Sequence, residues 1–326
     1  MIKTIKTRRS LIQACCTMCL FIFLKELYSL QQVDLSTDNP DDKELKFPFI
    51  EDVKFSPKPN SIYFHVTSLQ GYLRPSEACA VEAAARAHPA REVYVLFTSP
   101  IVDYLKRNMR ITSRKLRKFR NIKLLRIHLA EYCNATIVES LLLNDLKYSS
   151  YPERHTADIL KILTLNKWGG MAVDTNMIIL KPFTRLPPNW ILKENEIYVA
   201  PGIMQFSRNE FGLNVTSGIL KEMSETYKPD NVDITGRIAL EKVVQRICPV
   251  MMRWDSCKDI IIYPADEFYS IDNVLWTSSH KVSLSQVSFS FHLDTLTNSV
   301  DPLTTADILD IYCPSIYMEY QENLLN

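Results

Sequence analysis

The stretch His155 to Pro182, HTADILKILTLNKWGGMAVDTNMIILKP, decides the fold. It reads as a helix, a glycine turn and a short apolar strand ending in a carboxylate. Thr156 suits an N-cap, and Ile159, Leu160, Leu163 and Trp168 recur at helical spacing. Gly169-Gly170 follows the last of them, where a left-handed cap is wanted. Met171-Ala172-Val173 is then a buried strand, with Asp174-Thr175-Asn176 at its end before the run Met177 to Leu180. A carboxylate held at a strand end suits a divalent cation and its phosphates. The same triplet is also ordinary turn chemistry, because Asp and Asn bond their own backbone.

Working towards the N-terminus, Ile62 to Val66 and Val93 to Phe97 read as strands. Between them lies an alanine-rich helix, Ser76 to His88, closed by Pro89. Strand, helix, strand implies a parallel pair with a right-handed crossover, the start of an α/β nucleotide-binding sheet. Gln31 to Pro59 is polar and reads as a stem. Lys3, Lys6, Arg8 and Arg9 precede the apolar run Leu11 to Leu24. That pattern predicts a signal anchor with the C-terminal bulk in the lumen. A cleaved signal peptide, leaving a secreted lectin-like module, is the rival, although no Ala-x-Ala-like site follows the run. The expected division is 1–30 for tail and anchor, 31–60 for stem, and 61–326 for the lumenal domain. Within the domain, the expected parts are 61–184 and 185–326.

Towards the C-terminus, Ile122 to Ile127, Ile197 to Ala200, Ile260 to Tyr263 and Phe289 to His292 read as further strands, and Ile238 to Cys248 as an amphipathic helix. The basic cluster Arg110 to Lys123 reads as a solvated helix face. With 38 Lys and Arg against 37 Asp and Glu, the charge balance gives no reason to expect nucleic acid. Asn134-Ala135-Thr136 and Asn214-Val215-Thr216 are glycosylation acceptors. Five cysteines follow the apolar run: Cys79, Cys133, Cys248, Cys257 and Cys313. Cys248 and Cys257 are near enough in sequence to close a small loop, and an odd count leaves at least one thiol over.

Asp158, Lys161, Trp168-Gly169-Gly170, Asp174-Thr175-Asn176 and Leu180-Lys181 together resemble the sugar-nucleotide site of glycosyltransferases with a D-x-D motif, more narrowly the α1,4-glycosyltransferase family. Cys79 to Glu82 and Ala84 to Pro89 are similar to the opening of that family's domain. The resemblance implies an α/β, GT-A-type domain behind the anchor, in the Golgi membrane as a single-pass type II protein. It implies a UDP-sugar donor, with 61–184 as the sugar-nucleotide part, a glycolipid or glycoprotein acceptor, with 185–326 as the acceptor side, an α1,4 bond and retained configuration. It also implies Mn²⁺ or Mg²⁺ held by Asp174, Asn176 and His292, with Asp158, Lys161 and Asp174 facing the donor. No residue is identified as a nucleophile. The chain departs from the family pattern at Lys161, Ala172 and Asn176, where Arg, Tyr and Asp are usual. A homologue impaired in catalysis, binding glycan or partnering an active transferase, is the alternative that these departures leave open.

The topology carries a test. Glycosidase treatment of the cell-expressed protein should lower its apparent mass through glycans at Asn134 and Asn214. An unchanged mass, or protease attack on the C-terminal domain from the cytosolic side, overturns the assignment.

Overall fold

The computed structural model describes residues 45–183, 185–195, 198–248, 256–268, 289–292 and 302–324. Strand β1 (Ile62–Val66) is followed by helix α1 (Pro75–Ala87) and strand β2 (Val93–Phe97), then by helix α2 (Lys106–Leu116) and strand β3 (Ile122–Arg126). Helix α3 (Pro152–Trp168) leads into β4 (Gly170–Val173) and β5 (Met177–Ile179). The later elements are β6 (Trp190–Lys193), β7 (Val199–Phe206), α4 (Glu210–Thr226) and α5 (Ala239–Ile247). They are followed by β8 (Ser256–Cys257), β9 (Ile260–Tyr263), β10 (Ser290–His292), α6 (Pro302–Tyr312) and α7 (Pro314–Leu324). Eight strands form one mixed sheet in the order β3-β2-β1-β4-β7-β6-β9-β8, while β10 and β5 pair separately. β1 is parallel to β2 and β4, and β2 to β3, whereas β4 and β6 run antiparallel to β7. The order therefore reverses direction between β1 and β4.

Alternation along β1 sends Ile62, Phe64 and Val66 into the core that contains the α1 alanines, while Tyr63 packs in the core containing Ile159 and Leu163 of α3. The small side chains of α1 let it lie close to the sheet, and eight of its residues are buried. Helix α3 begins earlier than expected, at Pro152, whose fixed φ suits a first turn. Thr156 is not its cap; its hydroxyl bonds back to the Pro152 carbonyl at 2.7 Å. The helix does stop at Gly169, at φ +67°. Gly170, at φ +102°, cannot take a side chain, because a Cβ would lie 2.5 Å from the Ser61 carbonyl oxygen.

Two fastenings join distant parts of the chain. Cys79 of α1 is bonded to Cys313, and the buried Glu82 accepts from the backbone amides of Ser315 and Ile316 at 3.1 and 2.9 Å. A carboxylate there satisfies unpaired amides and opposes the positive end of α7. The expected Cys248–Cys257 bridge is present, and among the described residues Cys133 is the free cysteine, buried. The compact unit starts at Glu44, ahead of the boundary expected at Ser61. Phe47 and Ile50 are buried, and Ile50 N–H donates to the Arg126 carbonyl, so apolar residues within the polar stretch tie 45–50 to the sheet edge. Among the described residues no helix is long and apolar enough to cross a membrane; the run Leu11 to Leu24 lies outside them, as does Ile197. Both sequon asparagines are exposed.

Two buried histidines stay neutral. His88 donates from Nδ1 to the Ala84 carbonyl and accepts the Phe183 amide at Nε2, so protonation would break the second bond. Burial, with Arg91 beside it, lowers its pKa to about 4. Burial, with Lys161 near, lowers that of His65 to about 3. Between their ordinary value and these, the unfolded chain takes up protons that the folded chain refuses, so stability falls as pH drops through that window. Each histidine should contribute a slope of about 1.4 kcal/mol per pH unit between roughly pH 6.5 and 5, before carboxylates titrate. Urea midpoints across that range check this, and His65→Gln should remove one histidine's share; an unchanged slope contradicts it.

Candidate active site

A cavity of about 580 Å³ opens at the carboxyl ends of β1 and β4, where the strand order reverses. In open α/β sheets this crevice is where ligands bind. His65 to Gln70 form one wall, Glu153, Arg154, Ala157 and Asp158 of α3 a second, and Asp174-Thr175-Asn176 a third. The triplet is a tight turn, with Met177 N–H donating to the Asp174 carbonyl at 3.0 Å and Asp174 N–H to that of Gly202 at 2.7 Å. It thus combines the turn chemistry and the strand-end placement expected of it. Thr175 donates to Glu77 Oε1 at 3.2 Å, and the same carboxylate caps α1, which ties the turn to that helix.

Below this turn lies an ion cluster. The Lys161 ammonium is 2.9 Å from Asp158 Oδ1 and 2.7 Å from Asp174 Oδ1, and it donates to the Pro201 carbonyl at 3.1 Å. Lys161 and Asp158 are 2% and 4% exposed, so they are not an exposed surface pair. Pro201 has no N–H to leave unpaired, and it sits where the pairing of β6 with β7 shifts register. Asp158 Oδ2 accepts from Thr235 at 3.2 Å, and a Cβ on Gly236 would come within 2.7 Å of that oxygen. Thr235 and Gly236 lie in a π-helical turn, Ile234–Ile238, leading into α5. Burial pulls the Lys161 pKa down, but the two carboxylates outweigh it and leave the pKa raised. Burial also raises that of Asp174, against the pull of Lys161. The cluster of two carboxylates and one ammonium carries a net negative charge.

The structure brings Asp158, Lys161, Asp174 and Asn176 together, and β10 adds His292 by pairing it with Met177, next to Asn176. Lys161, which the resemblance has facing the donor, turns its ammonium to the two aspartates and the Pro201 carbonyl. It is absent from the cavity wall, and its three N–H groups already have acceptors, so it sets the positions of both aspartates instead. Asp174, Asn176 and His292 offer a carboxylate, an amide oxygen and an imidazole, a donor set that fits a divalent ion and suits Mn²⁺ better than Mg²⁺. Among the described residues no three His, Cys, Asp or Glu gather into such a site, so the set depends on Asn176. Glu77 had no sequence signal for this place, because it lies on α1, far from the Asp174 turn in the chain.

Lys161→Met should destabilise the protein by about 3–5 kcal/mol, since it strands two partly or fully buried carboxylates. Asp174→Ala should cost less, because Lys161 keeps Asp158 and the Pro201 carbonyl. Urea unfolding of both variants checks the order. A Lys161→Met protein as stable as wild type contradicts the positioning role.

Residues 209–319 match the family described as alpha 1,4-glycosyltransferase conserved region. This match takes in Thr235, Gly236 and His292 and lies downstream of the Asp158 to Lys181 block. Over 251 residues the chain is 26% identical to lactosylceramide 4-alpha-galactosyltransferase of Rattus norvegicus, covering 76% of this chain and 66% of that protein, just under two thirds of its length. Similar solved structures include PaToxG glycosyltransferase, with a TM-score of 0.44 and 14% identity over 64% of this chain and 75% of that one. The bifunctional glycosyltransferase WbbM has a TM-score of 0.46 and 11% identity, over 80% and 50%. An active-site mutant of LgtC has 0.38 and 12%, over 71% and 86%. By sequence the chain is thus similar to glycosyltransferases of the alpha 1,4 type, with residues 209–319 matching that family's conserved region.

Proposed function

We propose that this protein transfers galactose or an N-acetylhexosamine from a UDP-sugar in α1,4 linkage, with retained configuration. The acceptor is a terminal galactose or N-acetylgalactosamine of a glycolipid, and the work is done in the Golgi lumen behind a type II anchor. The observation that carries this reading is the Asp158–Lys161–Asp174 cluster at a cavity on the topological switch point. Two disulfides and two exposed sequon asparagines agree with an oxidising, lumenal location.

The chemistry separates a diphosphate from an anomeric carbon that becomes cation-like. Asp174, Asn176 and His292 would hold a divalent ion, and that ion would supply positive charge for the leaving diphosphate. Asp158 keeps its carboxylate in the cavity wall, locked by Lys161 on one oxygen and Thr235 on the other. In that place it can accept a sugar hydroxyl or offset charge at the anomeric carbon. The Glu77–Thr175 bond keeps the metal-side turn at the cavity edge, and Lys161 holds Asp174 at fixed distance from Asp158. Pre-organising both carboxylates spares that cost when the donor binds.

Isothermal titration with UDP, with and without Mn²⁺, tests the reading. Metal-dependent binding supports it, and no binding at millimolar ligand leaves the impaired homologue. Asn176→Asp adds a charged donor beside Asp174 and should tighten Mn²⁺-dependent UDP binding by on the order of tenfold to a hundredfold. Without metal the added charge repels Asp174, so that variant should melt lower in chelator than wild type and recover with Mn²⁺. Unchanged affinity and melting in both conditions argue against Asn176 as a ligand.

A further inference from the structure

Among the described residues, six acidic or cationic side chains line the cavity: Arg74 and Arg154 against Glu77, Glu153, Asp158 and Asp174. Five of them are held closely. Arg74 is 2.9 Å from Glu77, and Glu153 accepts the Leu69 amide at 3.0 Å. Asp158 and Asp174 share the Lys161 ammonium at 2.9 and 2.7 Å. Arg154 is held more loosely. Its ion pair is with Asp233 at 3.5 Å, and the other oxygen of that carboxylate takes a shorter bond, 2.9 Å, from Arg237. The Arg154 side chain is 54% exposed. An N–H to oxygen contact at that length is weak, and a pair this exposed contributes little to stability.

The place of Arg154 gives this looseness a meaning. It lies in the first turn of α3, four residues before Asp158, so the two share the helix face that lines the cavity. Its charge also reaches the far wall. Burial raises the Asp174 pKa, Lys161 draws it back, and Arg154 adds a smaller pull in the same direction. Counting Lys161 behind the wall, three cations face four carboxylates, which leaves one net negative charge. A diphosphate entering this cavity meets two cations that are already committed, Arg74 to Glu77 and Lys161 to the aspartates. Arg154 alone among these three can change partner at small cost. A guanidinium also presents parallel N–H groups that match two phosphate oxygens.

We propose that Arg154 is a diphosphate-binding residue: it rests on Asp233 in the empty cavity and transfers its guanidinium to the diphosphate of the bound donor. The inference rests on the reading of the cavity as a UDP-sugar site. Asp233 is not stranded by the exchange, because Arg237 stays on its other oxygen. When the bond between the anomeric carbon and the diphosphate oxygen breaks, its electron pair stays with the diphosphate. The Arg154 N–H groups then face the charge that the leaving group has gained. Lys161 keeps the carboxylates in place, and Arg154 meets the phosphates; the two cations divide work that one residue at the Lys161 position cannot do while its protons are taken.

The test is titration of the full chain with UDP in the presence of Mn²⁺, for wild type, Arg154→Gln, Arg154→Lys and Asp233→Asn. Arg154→Gln should weaken UDP binding by on the order of tenfold to a hundredfold, the range for loss of a charge-assisted contact. Its melting temperature should stay at the wild-type value, since an exposed pair is all that is lost. Arg154→Lys keeps the charge without the fork and should lose less; it is the variant to read if the glutamine variant melts lower. Asp233→Asn is the control for a structural role. It breaks the same ion pair from the other side, and it should leave UDP affinity unchanged or raise it, because the competing carboxylate is gone. Equal losses in Arg154→Gln and Asp233→Asn would assign the pair to the fold of the Ile234–Ile238 turn and overturn the proposal. Wild-type affinity in Arg154→Gln overturns this inference alone and leaves the donor site standing. A wild-type protein that binds no UDP removes the donor-site reading, and this inference with it.

Discussion

The site depends on one buried cation. Taking the Lys161 ammonium out of water costs several kcal/mol, and that cost is offset only if all three of its protons find acceptors. Those acceptors come from three places: Asp158 one helical turn earlier, Asp174 at the end of β4, and the Pro201 carbonyl in β7. The arrangement exists only when α3, β4 and β7 are all docked. The conserved-region part of the chain adds the remaining constraint, since Thr235 bonds Asp158 and Gly236 leaves just enough room for its carboxylate. Folding of the second half therefore sets the geometry of a site whose charges lie in the first.

That dependence shapes the chemistry available. An ammonium committed to two carboxylates cannot also grip a phosphate, so positive charge for a diphosphate must come from elsewhere. Asp174, Asn176 and His292 would meet that need by holding a divalent ion. Lys161 in turn keeps two negative groups close together that would otherwise repel. The departures from the family's residues look different in this light. Lysine in place of arginine fits a tight buried niche with three separate acceptors, where a planar fork would be poorly matched.

Several parts of this were legible in the residues. The stop of α3 at Gly169 followed from the need for positive φ, the strand after it from a short apolar run, and the Cys248–Cys257 bridge from a short loop. The grouping of Asp158, Asp174 and Asn176 followed from a recognisable pattern. Other parts were not. Thr156 carries the residue type of a cap, yet Pro152 offered a better start three residues ahead of His155. Phe47 and Ile50 sit in a polar stretch whose average composition hides two core residues. The Cys79–Cys313 bridge joins residues 234 apart, which no local pattern can pair.

The sequence by itself determined the local matters: which segments bury a face, where helices stop, which carboxylate ends a strand, and which family the motifs resemble. Periodicity, glycine φ and proline geometry act over a few residues, and they are readable there. Tertiary structure alone decided what those residues do. It made Lys161 the support of two aspartates, because three nearby acceptors take up the protons of its buried ammonium. It brought Glu77 to the Asp174 turn, Thr235 to Asp158, and His292 opposite Met177, next to Asn176. Such groupings arise from which strands neighbour one another in the sheet, and strand order is set by packing between residues far apart in the chain.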